Sequence, residues 1–348
     1  MKGPFPVDML KRALELVSVC TNLDLHSLRL KMTVVVQAMR YLTSDNPLVR
    51  WPWEENKPVV FTFPQLREAT EDFESAIRGS LWKGSLRRGQ LVAIKRLKPE
   101  NRNMVYDLEV HTLTHLRHPN IINLIGYCAE GEDRYLVYEF MSLGSLSDQL
   151  HARKPEERPL DWSARMKIGA GVANALNHLH NKARPILIYG DLKPSNILLA
   201  NGFNPKLSGF GIAKSALFGN QSPATSSYWA PERARTGRLT FKSDVYNFGM
   251  VLLEIVTSYA DKSHIPPWVR REDKCIELAA DQDLEGQFPP DMVMKALEVV
   301  SRCVDEDPDS RPNMVDVLGA MNYLACDDDP NEMAWPAEFD LLPGVQLK

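Results

Sequence analysis

The sequence lacks the features that mark secreted, membrane-spanning and zinc-binding proteins. Its five cysteines are widely spaced and include no Cys-x-x-Cys pair, which argues against a disulfide framework or a structural zinc site. No apolar run reaches the roughly 18 residues that a membrane helix needs, and early charges interrupt any signal peptide. The net charge of -4 gives no general attraction to nucleic acid. We therefore expect a cytoplasmic protein without a transmembrane segment or a nucleic-acid partner.

Residues 1–43 contain a copy of a segment that lies near the other end of the chain. Phe5-Pro6-Val7-Asp8-Met9 recurs as Phe288-Pro289-Pro290-Asp291-Met292, and further identities continue to Leu42 and Leu324. Apolar residues at helical spacing predict two helices in each copy. We interpret the first copy as the end of a second, mostly missing domain, left by a tandem duplication or by a trimmed gene. Two unrelated amphipathic helix pairs are the alternative.

Two segments without periodicity flank the central region. Residues 44–58 combine three prolines with two tryptophans and are predicted to be a linker. Residues 326–348 are acidic and interrupted by prolines, which predicts a mostly disordered tail. We expect Trp335 and Phe339, two large aromatic residues of this tail, to pack back against the domain.

The central region, residues 59–325, changes its pattern once. Residues 59–141 contain strand-like runs and one clear helix around residues 104–116, whereas residues 142–325 are mainly helical. A small sheet-rich lobe followed by a larger helical lobe predicts an α+β, bilobal fold. The extra helix pair of residues 1–43 would precede it.

Short motifs in a fixed order run through this central region. They include Val92-Ala93-Ile94-Lys95, Asp191-Leu192-Lys193-Pro194-Ser195-Asn196 and Ala230-Pro231-Glu232. Alone, each motif is weak, since Lys95 could be any surface lysine and Asp191 with Asn196 could cap a turn. Together, and with Phe61-Thr62-Phe63-Pro64-Gln65-Leu66 and His118-Pro119-Asn120-Ile121, they resemble the protein kinases, and specifically the plant receptor-like cytoplasmic kinases.

The resemblance implies a bilobal kinase fold and roles for three groups of residues. A nucleotide-binding group would comprise a phosphate-contacting lysine, its partner on helix C, the gatekeeper, two hinge residues and a loop glycine: Lys95, Glu109, Tyr138, Glu139, Met141 and Gly79. A catalytic group would comprise the base, a neighbouring lysine and a magnesium ligand: Asp191, Lys193 and Asn196. A structural group would comprise a buried ion pair and a helix anchor: Glu232 with Arg311, and Asp244.

Three positions depart from the family pattern, and the first concerns metal. In Lys206-Leu207-Ser208-Gly209-Phe210-Gly211, a glycine stands where the family has the aspartate that holds magnesium. A carboxylate supplies charged oxygens to the ion, whereas Gly209 offers no side-chain ligand and Asn196 is neutral. The sequence therefore predicts impaired magnesium binding, weak ATP binding at most, and a catalytic group that is vestigial.

The other two departures affect phosphate recognition. Only Gly79 remains of the three glycines expected before Leu81-Trp82-Lys83-Gly84, and the stretch is predicted to be too short for the usual strand–turn–strand. Gly190 replaces the arginine that reads activation-loop phosphate in the family. Arg78 could contact phosphate instead, although a solvated surface arginine is the simpler interpretation.

The sequence thus predicts a pseudokinase whose fold serves binding: a scaffold, an allosteric partner of a kinase, or a bait for pathogen effectors beside an immune receptor. The alternatives are a weak Ser/Thr kinase with Asp191 as its base, and a degenerate product without a role. The expected partners are proteins, which could hold the chain at the inner face of the plasma membrane. Self-association through residues 1–43 is also expected, because their apolar face has no parent lobe to cover.

Overall fold

The computed structural model describes residues 58–97, 102–153, 158–212, 214–215, 228–258, 281, 284, 287–326 and 334–339. The chain divides into two compact units, residues 1–59 and residues 60–348. The predicted helix pair of residues 1–43, nearly all of the predicted linker and most of the acidic tail lie outside the described residues.

Six strands form the sheet of the first lobe: β1 (Val59–Val60), β2 (Ala76–Arg78), β3 (Leu81–Ser85), β4 (Leu91–Arg96), β5 (Leu124–Cys128) and β6 (Tyr135–Glu139). They lie in the order β1-β5-β6-β4-β3-β2, and the pairs from β5 to β2 are antiparallel. In β4, Val92 and Ile94 are buried between more exposed residues, because only one face of this strand is fully covered. β6 is central, and its residues 135–138 are all buried.

Two helices pack against this sheet. α1 (Phe63–Ala69) begins at Thr62, whose side chain takes part in a reciprocal capping box that satisfies two N–H groups. Leu66 is fully buried and ties α1 to the apolar face of the sheet. α2 (Arg102–His115) is the predicted helix C and carries the buried Glu109.

Helices build the second lobe: α3 (Leu146–His151), α4 (Trp162–Asn181), α5 (Pro231–Thr236), α6 (Phe241–Thr257), α7 (Pro290–Cys303) and α8 (Met314–Leu324). Four short strands accompany them: β7 (Leu187–Ile188), β8 (Ile197–Ala200), β9 (Asn204–Leu207) and β10 (Lys214–Ser215). The short strands pair as β7–β10 and β8–β9. No helix within the described ranges combines the length and the hydropathy needed to cross a bilayer.

α6 is the core helix of this lobe. Its residues 243–256 are all buried, and they include Asp244 and Glu254. Buried charges need internal partners. Glu254 receives a hydrogen bond from the Tyr228 hydroxyl at 2.6 Å and lies 2.6 Å from His151 Nε2. α6 therefore holds neighbouring segments in place through its polar residues as well as through its apolar ones.

The architecture confirms the predicted α+β, bilobal fold, with the sheet first and the helices second. The second copy of the sequence repeat forms α7 and α8, as its helical spacing predicted. The expected packing of the tail is also confirmed for two residues: Trp335 stacks edge-on against Tyr323 with ring centres 5.2 Å apart, and Phe339 is buried.

Candidate nucleotide and catalytic site

A cavity of about 750 Å³ lies between the sheet and the helical lobe. This volume falls in the range of pockets that hold small-molecule ligands. Its wall includes most of the predicted nucleotide-binding group, one catalytic residue and the substituted glycine: Lys95, Glu109, Tyr138, Glu139, Met141, Asn196 and Gly209. Among the described residues, Asp191, Lys193 and Gly79 are predicted site residues that are not part of this wall.

The phosphate loop has lost glycines but keeps its hairpin. β2 and β3 pair antiparallel, and Gly79 with Ser80 forms the turn between them. The prediction that this stretch is too short for a strand–turn–strand is therefore wrong, because a two-residue turn needs fewer residues than a glycine-rich loop. Arg78 Nη1 lies 3.7 Å from Asp148 Oδ1 on α3. Arg78 is highly exposed, so this ion pair contributes little to stability.

The predicted ion pair between Lys95 and Glu109 is absent. Both side chains belong to the described part of the chain and line the cavity, but they form no ion pair there. Glu109 Oε1 instead accepts a hydrogen bond from the backbone N–H of Phe210 at 3.2 Å, and Oε2 is buried without a partner. The motif spacing correctly predicted that Lys95 and Glu109 line the same cleft. It could not specify the carboxylate's orientation, which is set by the chain after β9.

Tyr138 and the two hinge residues form the wall of the cavity at β6 and just beyond it. Burial, and then the Glu109 carboxylate, raises the pKa of Tyr138 well above its ordinary value, so its hydroxyl stays protonated. A large buried side chain there limits the depth of the cleft, which is the effect expected of a gatekeeper. The Glu139 carboxylate lies 2.9 Å from Lys206 Nζ, and Met141 is buried.

Asp191, Lys193 and Asn196 form one hydrogen-bonded group. Asn196 Nδ2 donates to Asp191 Oδ2 at 2.7 Å and to the Asp191 carbonyl at 2.8 Å. Lys193 Nζ donates to Asp191 Oδ1 at 3.1 Å. Hydrogen bonds to a charged group are the stronger kind, and these fix the carboxylate in one orientation. Asp191 therefore keeps the setting of a general base.

Asp244 on α6 holds the segment that precedes Asp191. Its fully buried carboxylate accepts hydrogen bonds from the N–H groups of Tyr189 and Gly190, each at 2.8 Å, and lies 2.9 Å from His180 Nε2. A buried charge with three such partners is well satisfied. This is the anchoring arrangement that the resemblance implied for Asp244.

Gly209 lies beside Asn196, just after β9. Its φ of +74° is in the left-handed region that L side chains rarely adopt. A Cβ atom on Gly209 would lie 3.1 Å from Asn196 Nδ2, the nitrogen that is bonded to Asp191. Magnesium prefers several oxygen ligands that include carboxylates. The residues present at this end of the cleft do not fit that ion, because Gly209 supplies no ligand and Asn196 supplies only a neutral one.

Sequence reasoning missed an arginine that contacts Gly190. Arg233 on α5 is fully buried, its Nη1 donates to the Gly190 carbonyl at 2.5 Å, and its guanidinium lies 3.7 Å from the centre of the Trp229 ring. Burial lowers the pKa of Arg233 to about 10, and its Nε and Nη2 have no hydrogen-bond partner. The sequence signal was a charged residue directly after Ala230-Pro231-Glu232. Its meaning depends on a contact between distant segments.

The predicted pair of Glu232 and Arg311 is present and bidentate. Arg311 Nη1 lies 2.8 Å from Glu232 Oε1, and Nη2 lies 2.9 Å from Oε2. Arg311 Nε also donates to the Asp305 carbonyl at 2.8 Å. The guanidinium is buried and bonded through all three nitrogens, so it links α5 to the segment before α8.

A sheet lobe and a helical lobe around a cleft, with a lysine on β4 and a bonded Asp–Asn pair below it, define a protein-kinase domain. The chain matches the protein tyrosine and serine/threonine kinase family over residues 68–321, and it belongs to that family. The match covers nearly all of the two lobes described above.

The curated relatives are plant kinases. The chain is 44% identical over 314 residues to the probable serine/threonine-protein kinase PBL7 of Arabidopsis thaliana, which covers 82% of each protein. It is 46% identical over 293 residues to the serine/threonine-protein kinase PBS1 of the same plant, covering 76% of this chain and 64% of PBS1. Receptor-like kinase LIP2 is 40% identical over 311 residues, which span 81% of this chain and 55% of LIP2. These relatives agree with the predicted resemblance to the receptor-like cytoplasmic kinases.

Proposed function

We propose that this protein is a pseudokinase, a kinase-shaped binding protein that transfers phosphate slowly or not at all. Gly209 carries the proposal, because it removes the charged ligand that the family provides for magnesium. Loss of that charge is expected to cost several kcal/mol in the transition state, or roughly 10²- to 10⁴-fold in rate.

The proposed function is the binding of other proteins in the cytoplasm. The anchoring contacts of Asp244 and of the Glu232–Arg311 pair support this, because they maintain the kinase shape whether or not phosphate is transferred. Through that shape the protein would bind a partner kinase, an immune receptor or a pathogen effector. Such a partner would also determine whether the protein resides at the inner face of the plasma membrane.

Weak nucleotide binding without magnesium is part of the proposal. Lys95 lines the cavity and has no ion pair with Glu109 among the described residues, so its ammonium is available to a phosphate group. ATP is the nucleotide that the family resemblance implies. Affinity is expected to be low, because only Gly79 remains of the phosphate-loop glycines.

The second candidate is a weak Ser/Thr protein kinase. The observation that favours it is the intact group in which Asn196 and Lys193 hold the Asp191 carboxylate. A carboxylate fixed in this way could accept the proton of a substrate hydroxyl. This candidate predicts slow transfer that depends on Asp191.

Labelled ATP distinguishes the two candidates. The purified protein is incubated with ATP and either magnesium or manganese, beside an Asp191→Asn variant. We expect no incorporation above the variant's background. Incorporation that Asp191→Asn abolishes would establish the kinase and refute the pseudokinase.

A gain-of-function variant tests the role of Gly209 directly. In thermal-shift titrations, Gly209→Asp is expected to make ATP stabilisation depend on magnesium, whereas the parent protein responds equally with and without the metal. Gly202→Asp is the matched control, because Gly202 has a similar φ of +73° and lies outside the cavity wall. If magnesium does not change the stabilisation of Gly209→Asp by ATP, the lost glycines of the phosphate loop, and not Gly209, are the main cause of weak nucleotide binding.

A further inference from the structure

Arg78 and Lys95 project into the cleft from the same face of the sheet. In the strand register, Arg78 of β2 lies opposite Leu81 of β3, and Leu81 lies opposite Lys95 of β4. Residues directly opposite each other in antiparallel strands share a face of the sheet. All three line the cavity, so the two cations contribute positive charge to one wall. Arg96 also reaches this wall, but its guanidinium is held 3.1 Å from the Asp133 carboxylate.

The position of Arg78 matches the place where the phosphate loop has lost its glycines. Arg78 directly precedes the turn of Gly79 and Ser80. Glycines in such a loop present backbone N–H groups to phosphate, whereas an arginine presents charged N–H groups from its side chain. The backbones of β2 and β4 lie two strand spacings apart, or about 10 Å. The long side chains of Arg78 and Lys95 can therefore contact one chain of phosphate groups between them.

The inner end of the cavity is unfavourable for phosphate. Glu109 lines the cavity and is 1% exposed, and its Oε2 has no hydrogen-bond partner in the described part of the chain. A carboxylate repels an anion, and the repulsion is stronger where water is excluded. The phosphate groups are therefore expected on the exposed side of the cavity. Arg78 lies on that side, because 79% of its side chain is exposed.

Arg78 has an acidic partner that a ligand can replace. Its Nη1 lies 3.7 Å from Oδ1 of Asp148, which also lines the cavity. Asp148 is fixed through its other oxygen, since Oδ2 accepts hydrogen bonds from the Ser145 N–H at 3.0 Å and from the Ser145 hydroxyl at 2.7 Å. The exposed ion pair is weak, whereas a phosphate group can accept two hydrogen bonds from one guanidinium. Arg78 is thus the partner that moves when phosphate enters.

We propose that Arg78 binds the outer phosphates of a nucleoside di- or triphosphate in exchange for Asp148, while Lys95 binds the phosphate nearest the nucleoside. The inference rests on the proposed nucleotide binding without magnesium, and it names the residue that selects among nucleotides. The two cations supply part of the positive charge that a metal ion otherwise brings to a polyphosphate. A nucleoside monophosphate does not extend to Arg78, so the cleft discriminates by the number of phosphate groups.

Calorimetric titration of the full chain with AMP, ADP and ATP, each in EDTA, tests this role of Arg78. The parent protein is expected to bind ATP about tenfold more tightly than AMP, which is the contribution of a contact with a charged group. Arg78→Gln is expected to remove this difference and to leave AMP binding unchanged. Arg87→Gln is the matched control, because Arg87 is an exposed arginine of the same lobe outside the cavity wall. It is expected to leave all three affinities unchanged.

A substitution at Asp148 tests the exchange of partners. Asp148→Asn keeps an oxygen for the hydrogen bonds from Ser145 but removes the charge that holds Arg78. It is expected to raise the affinity for ATP about threefold, since the exposed ion pair no longer competes with the ligand. In the Arg78→Gln background the same substitution is expected to give a smaller gain, because only the direct repulsion between Asp148 and phosphate is relieved. Equal gains in the two backgrounds would overturn the exchange.

The outcomes separate this inference from the function on which it rests. If the parent protein binds ATP and Arg78→Gln binds it equally well, the role of Arg78 is overturned, and nucleotide binding without magnesium stands. If the parent protein binds none of the three nucleotides in EDTA, that part of the proposed function fails, and the inference fails with it. The incorporation of labelled phosphate tests the pseudokinase independently of both results.

Discussion

Two of the buried arginines of the helical lobe, Arg311 and Arg233, lie in regions that satisfy their hydrogen-bond donors to different degrees. Near the anchors, Arg311 is bonded through all three nitrogens, to Glu232 and to the Asp305 carbonyl among others. At the catalytic end, Arg233 donates one hydrogen bond to Gly190 and leaves Nε and Nη2 without partners. The same side chain is thus fully satisfied in one region and poorly satisfied in the other.

The difference shows that the two regions satisfy a buried guanidinium to different degrees. The anchoring region fixes the helices, and breaking a buried charge pair there from one side is expensive. The catalytic end contains Gly209, Gly190 and an imperfectly paired arginine within the same fold. The proposed binding role depends more on the first region than on the second.

Arg311→Met is expected to show the largest effect. It leaves Glu232 partly buried without its partner, and we expect a loss of about 3–5 kcal/mol in the free energy of unfolding. Urea denaturation measures this loss. Arg302→Met is the control, since Arg302 forms an i,i+4 pair with Glu298 and is more exposed. Its removal is expected to cost about 0.5 kcal/mol or less, and equal losses in the two variants would contradict the comparison.

Lowering the pH tests a third place in the protein, the contact between His118 and His178, which lies outside both arginine regions. The His118 ring stacks on His178 with centres 4.7 Å apart, and the Asn120 N–H donates to His118 Nδ1 at 3.2 Å. Burial, and then His178, lowers the pKa of His118 to about 4. Because the folded pKa lies below the ordinary value, the neutral ring's contribution is complete above about pH 6.5 and is lost as the pH falls towards 4.

The size of this acid effect is expected to be about 2–3 kcal/mol between pH 7 and pH 4. Urea denaturation at stepped pH values measures it. His118→Gln is expected to flatten the curve in this window, whereas His115→Gln, at an exposed histidine, is expected to leave it unchanged. Identical curves for His118→Gln and the parent would show that other groups determine the acid response.

Gly209→Asp is expected to destabilise the catalytic end modestly. A left-handed φ costs most L side chains roughly 1–2 kcal/mol, aspartate tolerates it better than most, and the added Cβ atom also approaches Asn196. Gly202→Asp carries the same backbone penalty, but its Cβ has no heavy atom within 4 Å. This variant therefore measures the backbone penalty without the contact with Asn196. We expect the Gly209 variant to be the less stable of the two by thermal denaturation. The reverse order would mean that the catalytic end accepts the carboxylate without strain.

Arg233→Met is expected to show the smallest effect, within about 1 kcal/mol of the parent protein. The variant loses one hydrogen bond to Gly190 but no longer buries a charge with two unpaired donors. Comparison with Arg311→Met in the same denaturation series measures the contrast between the two regions. A loss as large as that of Arg311→Met would show that Arg233 is better satisfied than its contacts indicate.

The sequence predicted the features that depend on local pattern and on the order of motifs. The two lobes, the grouping of Lys95 with Tyr138 in one cleft, and the Glu232–Arg311 pair all follow from motifs whose spacing the fold constrains. The orientation of Glu109 did not follow, because a single rotamer decides whether it meets Lys95 or Phe210 N–H.

Contacts between distant segments were the other kind of feature that the sequence did not predict. Arg233 reaches Gly190 across the chain, and nothing in either local sequence indicates the contact. The hairpin of β2 and β3 was also missed, because the expectation came from the length of a glycine-rich loop. A short strand forms there when a neighbouring strand is ready to pair with it.

The left-handed backbone at Gly209 has a consequence for descent. An ancestor with the family's aspartate at this position would carry a Cβ atom about 3.1 Å from Asn196 Nδ2, whereas a descendant with glycine carries none. The substitution that removes the charged ligand thus also removes a close contact, and a return to aspartate brings the ligand and the contact back together.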